Sequence, residues 1–166
     1  MLSVSLFFIA LLLLPQSVTP RTIQVMSPLT TGVARAIKNQ EPEWHYTAGV
    51  CTCPQLMPSQ ISHDVGTWDH TVAGNKREWI DMDVYVVGTP TEAADWMSKF
   101  SRGEFGLVCS IERYELAEEA YLLTCPKKHR YHINYRKGRT LVEVSGDVRS
   151  DVERFASYAF KLLPDS

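Results

Sequence analysis

The stretch from Arg130 to Ser145, RYHINYRKGRTLVEVS, decides the fold. It reads as two strands around the two-residue turn Lys137-Gly138. That register sets Tyr135 opposite Thr140, Ile133 opposite Val142 and Tyr131 opposite Val144, all on one face. The other face pairs Arg136 with Arg139, Asn134 with Leu141 and His132 with Glu143. One register thus sorts apolar from polar almost completely, with Thr140 and Leu141 the exceptions, and a slip by one residue would invert every side chain. The turn chemistry and the alternation agree on an antiparallel hairpin with one buried face.

Reading outward, the same signals recur. Tyr121, Leu123 and Cys125 alternate as a preceding strand, and Phe105, Leu107, Cys109 and Ile111 as the one before it. Ile80, Met82, Val84 and Val86 alternate with Trp79, Asp81, Asp83 and Tyr85, a half-buried strand that Gly88 ends. Thr89-Pro90-Thr91-Glu92 is a capping box with proline at the first helical position, and Ala93, Trp96, Met97 and Phe100 follow at helical spacing. A last helix opens at Ser150, with Glu153 as its capping-box partner and Val152, Phe155, Ala159 and Leu162 as its apolar stripe. Toward the amino end, Ser27 and Pro28 open a helix with Leu29, Val33, Ala36 and Ile37 on one face, and Trp44 to Val50 reads as a short strand. Residues 51–76 carry four Pro or Gly and no sustained period, and read as a long loop. The order predicts an α+β domain: an antiparallel meander with two or three helices packed on one face, a two-layer sandwich.

Leu2 to Leu14 is an uncharged run of thirteen residues ended by Pro15, too short for a membrane span of roughly 20 residues. It fits the core of a signal peptide. Residues 1–20 are therefore expected to be removed and 21–166 to form one domain with no transmembrane span, secreted or periplasmic. The alternative is an uncleaved amino-terminal membrane anchor, since no Lys or Arg precedes the run and no clean small-x-small site follows it.

Export makes disulfides the first reading of the four cysteines, for which three connectivities exist. Cys109 and Cys125 alternate with core residues on strands joined by a short acidic connection, so we expect them to be linked. A loop of that length is worth about 3 kcal/mol in the chain-entropy model.

Two further groups of residues carry chemistry. The 51–70 segment holds Cys51, Cys53, His63 and His70, a donor set suited to Zn²⁺, or to Cu⁺ if thiolates dominate, and a Cys-x-Cys pair can also serve as a redox site. The spacing is not that of a zinc finger, and one intervening residue makes both thiolates hard to aim at one ion. The second group is basic: Lys127, Lys128, Arg130, Arg136, Lys137 and Arg139 lie in thirteen residues without an acid, a candidate anion-binding edge. Tyr131 and Tyr135 point to the core in the register above, which argues against base stacking and hence against nucleic acid. Glu112, Glu115, Glu118 and Glu119 nearby offset the field.

Asp81 and Asp83 share a strand face as two carboxylates could for acid–base work, although a solvated face is the simpler reading. Neither a nucleophile elbow, nor a phosphate loop, nor a His-Glu-x-x-His helix is present. The net charge of −2 selects no polyanionic partner. The expectation is an exported, non-enzymatic binding or interaction domain without a cofactor, for an unidentified protein or an anionic ligand, or a subunit of a larger assembly. The alternative is a metal-binding or thiol-redox protein built on the 51–70 segment.

Overall fold

In a computed structural model, residues 28–49, 57–104 and 108–164 are described. The expected signal peptide, Cys51 and Cys53 lie outside that set. The chain runs α1 (Pro28–Gln40), β1 (His45–Gly49), β2 (Ser62–Thr71), β3 (Arg77–Val86), α2 (Pro90–Ser101), β4 (Ser110–Arg113), β5 (Glu119–Cys125), β6 (Arg130–Lys137), β7 (Thr140–Gly146) and α3 (Arg149–Leu162). The seven strands form one antiparallel sheet in the order β1-β2-β3-β7-β6-β5-β4. This is an α+β fold, as the pattern requires. The meander, however, is broken once: after β3 the chain crosses over through α2 to the far edge, and β7 returns to pair with β3.

Two helices share a face, as expected, and the third does not. Val33 and Ile37 of α1 and Val152, Phe155 and Ala159 of α3 pack with Trp68, Ile80, Met82, Val84, Leu122, Ile133, Tyr135, Val142 and Val144. Ala93 and Met97 of α2 pack with Tyr85, Val87 and Leu141, and Phe100 with Leu123 and Cys125, on the opposite face. The two-layer expectation is therefore corrected to a sheet with a partial third layer. The cause lies in adjacent apolar residues. Leu122-Leu123 and Leu141-Val142 put one side chain on each face of their strands, so each face needs a cover.

Three local expectations change. Residues 62–71, read as loop, are a ten-residue strand. Its inward positions are Asp64, Gly66 and Trp68, which hid the alternation. Gly66 faces the Tyr46 and Trp68 rings, and a Cβ there would meet Trp68 at 2.9 Å. The hairpin keeps its faces but shifts its pairs: Lys137 stands opposite Thr140, Tyr135 opposite Val142 and Ile133 opposite Val144. Gly138 takes φ 57° at the first central turn position, where a type II′ turn places glycine, so the turn is Gly138-Arg139. Finally, α3 begins at Arg149 with Val148 as N-cap and no side-chain cap. Glu153 ion-pairs with Arg149 at 2.9 Å rather than closing a box with Ser150. The Thr89–Glu92 capping box forms as read, each backbone amide bonded to the other side chain.

Burial alone holds the phenol of Tyr135 well above its ordinary value. Burial, then the carboxylates of Asp83 and Glu143, push Tyr85 up as well. A raised folded-state value means the fold favours the protonated phenol. The stability this gives is complete below about pH 10, where the unfolded chain is also protonated, and is lost as pH rises beyond it. Absorbance titration near 295 nm should therefore show Tyr85 and Tyr135, of seven tyrosines, ionising only with unfolding. Full ionisation of all seven in a folded protein would contradict this packing.

Candidate functional site

Cys109 and Cys125 form a disulfide between the segment entering β4 and the end of β5, with sequence separation 16. Cys125 is buried with Phe100 and Leu123, so the bond fastens the sheet edge beneath the end of α2.

The basic edge is largely engaged within the fold. Arg130 lies over the Trp79 ring at 4.0 Å and reaches Asp81 at 3.2 Å. Arg136 pairs with Glu119. Lys137 lies on the α1/α3 face, where its ammonium donates to the carbonyls of Phe160 and Leu163 and so caps the end of α3. Lys127 and Arg139 are exposed, and the Lys128 side chain lies outside the described set. The six cations are therefore not one free surface.

The histidines of β2 separate. His63 and His70 are seven residues apart on one strand, about 23 Å along it and on opposite faces. They cannot share an ion, which corrects the four-donor set read from residues 51–70. His63 Nε2 lies 2.7 Å from Asp83 and its ring stacks on Tyr85 at 4.1 Å. On the same face, His132 Nδ1 lies 2.8 Å from Glu143, a contact made diagonally because His132 stands opposite Ser145. Asp83 and Glu143 are direct cross-strand neighbours. Two imidazoles thus flank two carboxylates on the strip of sheet beside α2. Asp81 accepts from Thr67 at 2.8 Å, so both carboxylates weighed for acid–base work are bonded to neighbours.

His70 faces the α1/α3 side and meets Glu78, its cross-strand partner, at 3.2 Å. Asp151 in the first turn of α3 completes a group of three whose donor atoms lie within 4.8 Å of one another. Arg154 joins Asp151 at 2.9 Å and Glu41 at 2.7 Å, and the Tyr158 hydroxyl donates to Glu41 at 2.8 Å. Burial, ahead of any neighbouring charge, pushes the Asp151 carboxyl up.

Trp44 packs against His70 with ring centroids 4.2 Å apart and the ring planes tilted by 36°. It is 3 % exposed, and its indole N–H finds no acceptor among the described residues. Trp44 also lines a cleft of about 430 Å³ between α1 and β1, with Ala34, Arg35, Lys38, Pro42, His45 and Tyr46. Two cations stand on the exposed flank of α1, at positions three apart that share a helix face. Trp44, just ahead of β1, and Tyr46 within it supply the aromatic wall. Burial, then the Asp64 carboxylate, raises the Tyr46 phenol, which stays a hydrogen-bond donor at neutral pH.

Sequence reasoning missed Arg35, Lys38, Trp44 and Tyr46, and also Glu78 and Asp151, because only the fold brings α1 beside β1 and α3 beside β2 and β3. A signal did exist in the pair Arg35 and Lys38 at the end of an amphipathic helix, directly ahead of Trp44-x-Tyr46. The chain matches no family model, no curated protein and no solved structure.

The engaged lysine gives a test. Lys137→Ala removes a charged cap and should lower the stability measured by urea unfolding by about 1–2 kcal/mol. Arg139→Ala at the exposed turn should change it by less than about 0.5 kcal/mol. Equal, small effects would contradict the capping role.

Proposed function

We propose that the chain is a non-enzymatic binding domain that takes a small anionic ligand with a flat apolar body in the cleft between α1 and β1. One observation carries this reading: the cleft joins an aromatic wall, Trp44 and Tyr46, to two exposed cations, Arg35 and Lys38. Its volume is within the range of ligand sites, and such sites combine apolar walls with a few polar groups that fix orientation. A carboxylate or sulfonate would accept from the guanidinium and ammonium while the ligand body lies against the half-buried Tyr46 ring and the small part of Trp44 left open. The hairpin cations are a weaker choice because three of them already have partners within the fold.

Export fits this reading. The uncharged run from Leu2 to Leu14 supports it, as does a disulfide, which persists in oxidising compartments. Among the described residues, no helix is long and apolar enough to cross a membrane.

Titration of the protein with 2-naphthalenesulfonate, inorganic sulfate and 2-naphthol, followed by calorimetry, tests the proposal. The sulfonate should bind more tightly than either the bare anion or the uncharged ring, and added salt should weaken it. Replacing both Arg35 and Lys38 by alanine should weaken it about tenfold or more. Binding indifferent to these substitutions, or equal for the uncharged ring, would overturn the assignment.

A further inference from the structure

We propose that His70, Glu78 and Asp151 form a binding site for one divalent transition-metal ion, with zinc the first choice. The three donors come from β2, β3 and the first turn of α3, so the ion would pin the helix to the sheet. An imidazole with two carboxylates is a donor set that zinc accepts, three protein ligands leaving a fourth position open.

The geometry is close to ready. Donors roughly 2.0–2.1 Å from a tetrahedral zinc stand roughly 3.3 Å from each other. His70 Nε2 and Glu78 Oε2 are 3.2 Å apart. The Asp151 oxygen is within 4.8 Å of both, a gap that rotation of its carboxylate reduces. The remaining oxygens are already held from outside. Lys76 takes Glu78 Oε1 at 3.4 Å, and Arg154 takes Asp151 Oδ1 at 2.9 Å. Arg154 is itself fixed by Glu41, and Glu41 by Tyr158. Outer partners of this kind orient metal ligands and leave the inner atoms free to coordinate.

Charge points the same way. Glu41, Glu78 and Asp151 are three largely buried carboxylates in one cluster. The cations among them are Arg154, shared by two acids, and Lys76, which is 61 % exposed. Excess buried negative charge is costly, and a divalent cation offsets it. On binding, the imidazole would face the ion through Nε2 as a neutral ligand, the atom that now lies beside Glu78 Oε2.

Trp44 provides a local reporter, since its ring centroid lies 4.2 Å from that of His70. The test uses the full-length chain with thiols blocked, dialysed against metal-free buffer and titrated with Zn²⁺, Co²⁺ and Ni²⁺. One equivalent of zinc should be retained, and Co²⁺ or Ni²⁺ should quench tryptophan emission, an effect largely lost in Trp44→Phe. His70→Gln and Asp151→Asn should each weaken binding at least about tenfold while the circular dichroism stays native. His63→Gln, on the opposite face, should leave it unchanged. Absence of stoichiometric binding, affinity unchanged from the parent chain in His70→Gln and Asp151→Asn, or equal loss in His63→Gln would each overturn the proposal.

Discussion

Residues 80–86 run antiparallel to residues 140–146, and this is the strand pairing that joins β1, β2 and β3 to β4, β5, β6 and β7. It sets the parity of the whole sheet. Ile80, Met82 and Val84 fall in line with Gly146, Val144 and Val142 beneath α3, while Asp81, Asp83 and Tyr85 fall in line with Ser145, Glu143 and Leu141 on the α2 side. A shift by one residue would bring Asp81 and Asp83 under Phe155 and send Met82 toward the strip of paired carboxylates. The seam ends at Gly146, where a Cβ would meet Ile80 at 2.6 Å and the Trp79 carbonyl at 2.8 Å. The second of these is backbone and cannot step aside, so the close approach of β7 to β3, and the start of α3 just beyond, require glycine.

The strands that the pattern revealed, β3, β5, β6 and β7, are those in which apolar residues recur at alternate positions. Their faces follow from alternation alone, and the Thr89 capping box and the Cys109–Cys125 pair follow from local spacing. What escaped has physical causes. β2 buries Asp64, Gly66 and Trp68 in succession, so its inward face carries no apolar signature. The hairpin pairing moved because glycine took the first rather than the second central turn position, a choice that leaves every face unchanged and so leaves no trace in the alternation. The placement of α2 on the opposite face was encoded in the apolar doublets Leu122-Leu123 and Leu141-Val142, which a reading of one buried face per strand passes over. The site residues were illegible for another reason. A lone Glu78 or Asp151 acquires meaning only when β2, β3 and α3 converge.

The convergence also explains why the most conspicuous sequence features are not where the chemistry gathers. Cations clustered in sequence at the hairpin disperse in space to an aromatic ring, two carboxylates and a helix end. Cations modest in sequence, Arg35 and Lys38, gain a cleft beside them. The two histidines of β2 divide between the faces: His63 joins the polar strip beside α2, and His70 joins the carboxylates near α3. Trp44 belongs to both places: it contacts His70 and it lines the cleft.

The indole N–H of Trp44 is therefore the atom that reports on the whole account. Its resonance in a ¹H–¹⁵N correlation spectrum is identified by its loss in Trp44→Phe. The account predicts that this single cross-peak moves on saturation with 2-naphthalenesulfonate and, in a separate sample, with zinc. A cross-peak that stays in place under both, while peaks of the Arg130–Arg139 hairpin move instead, would contradict it.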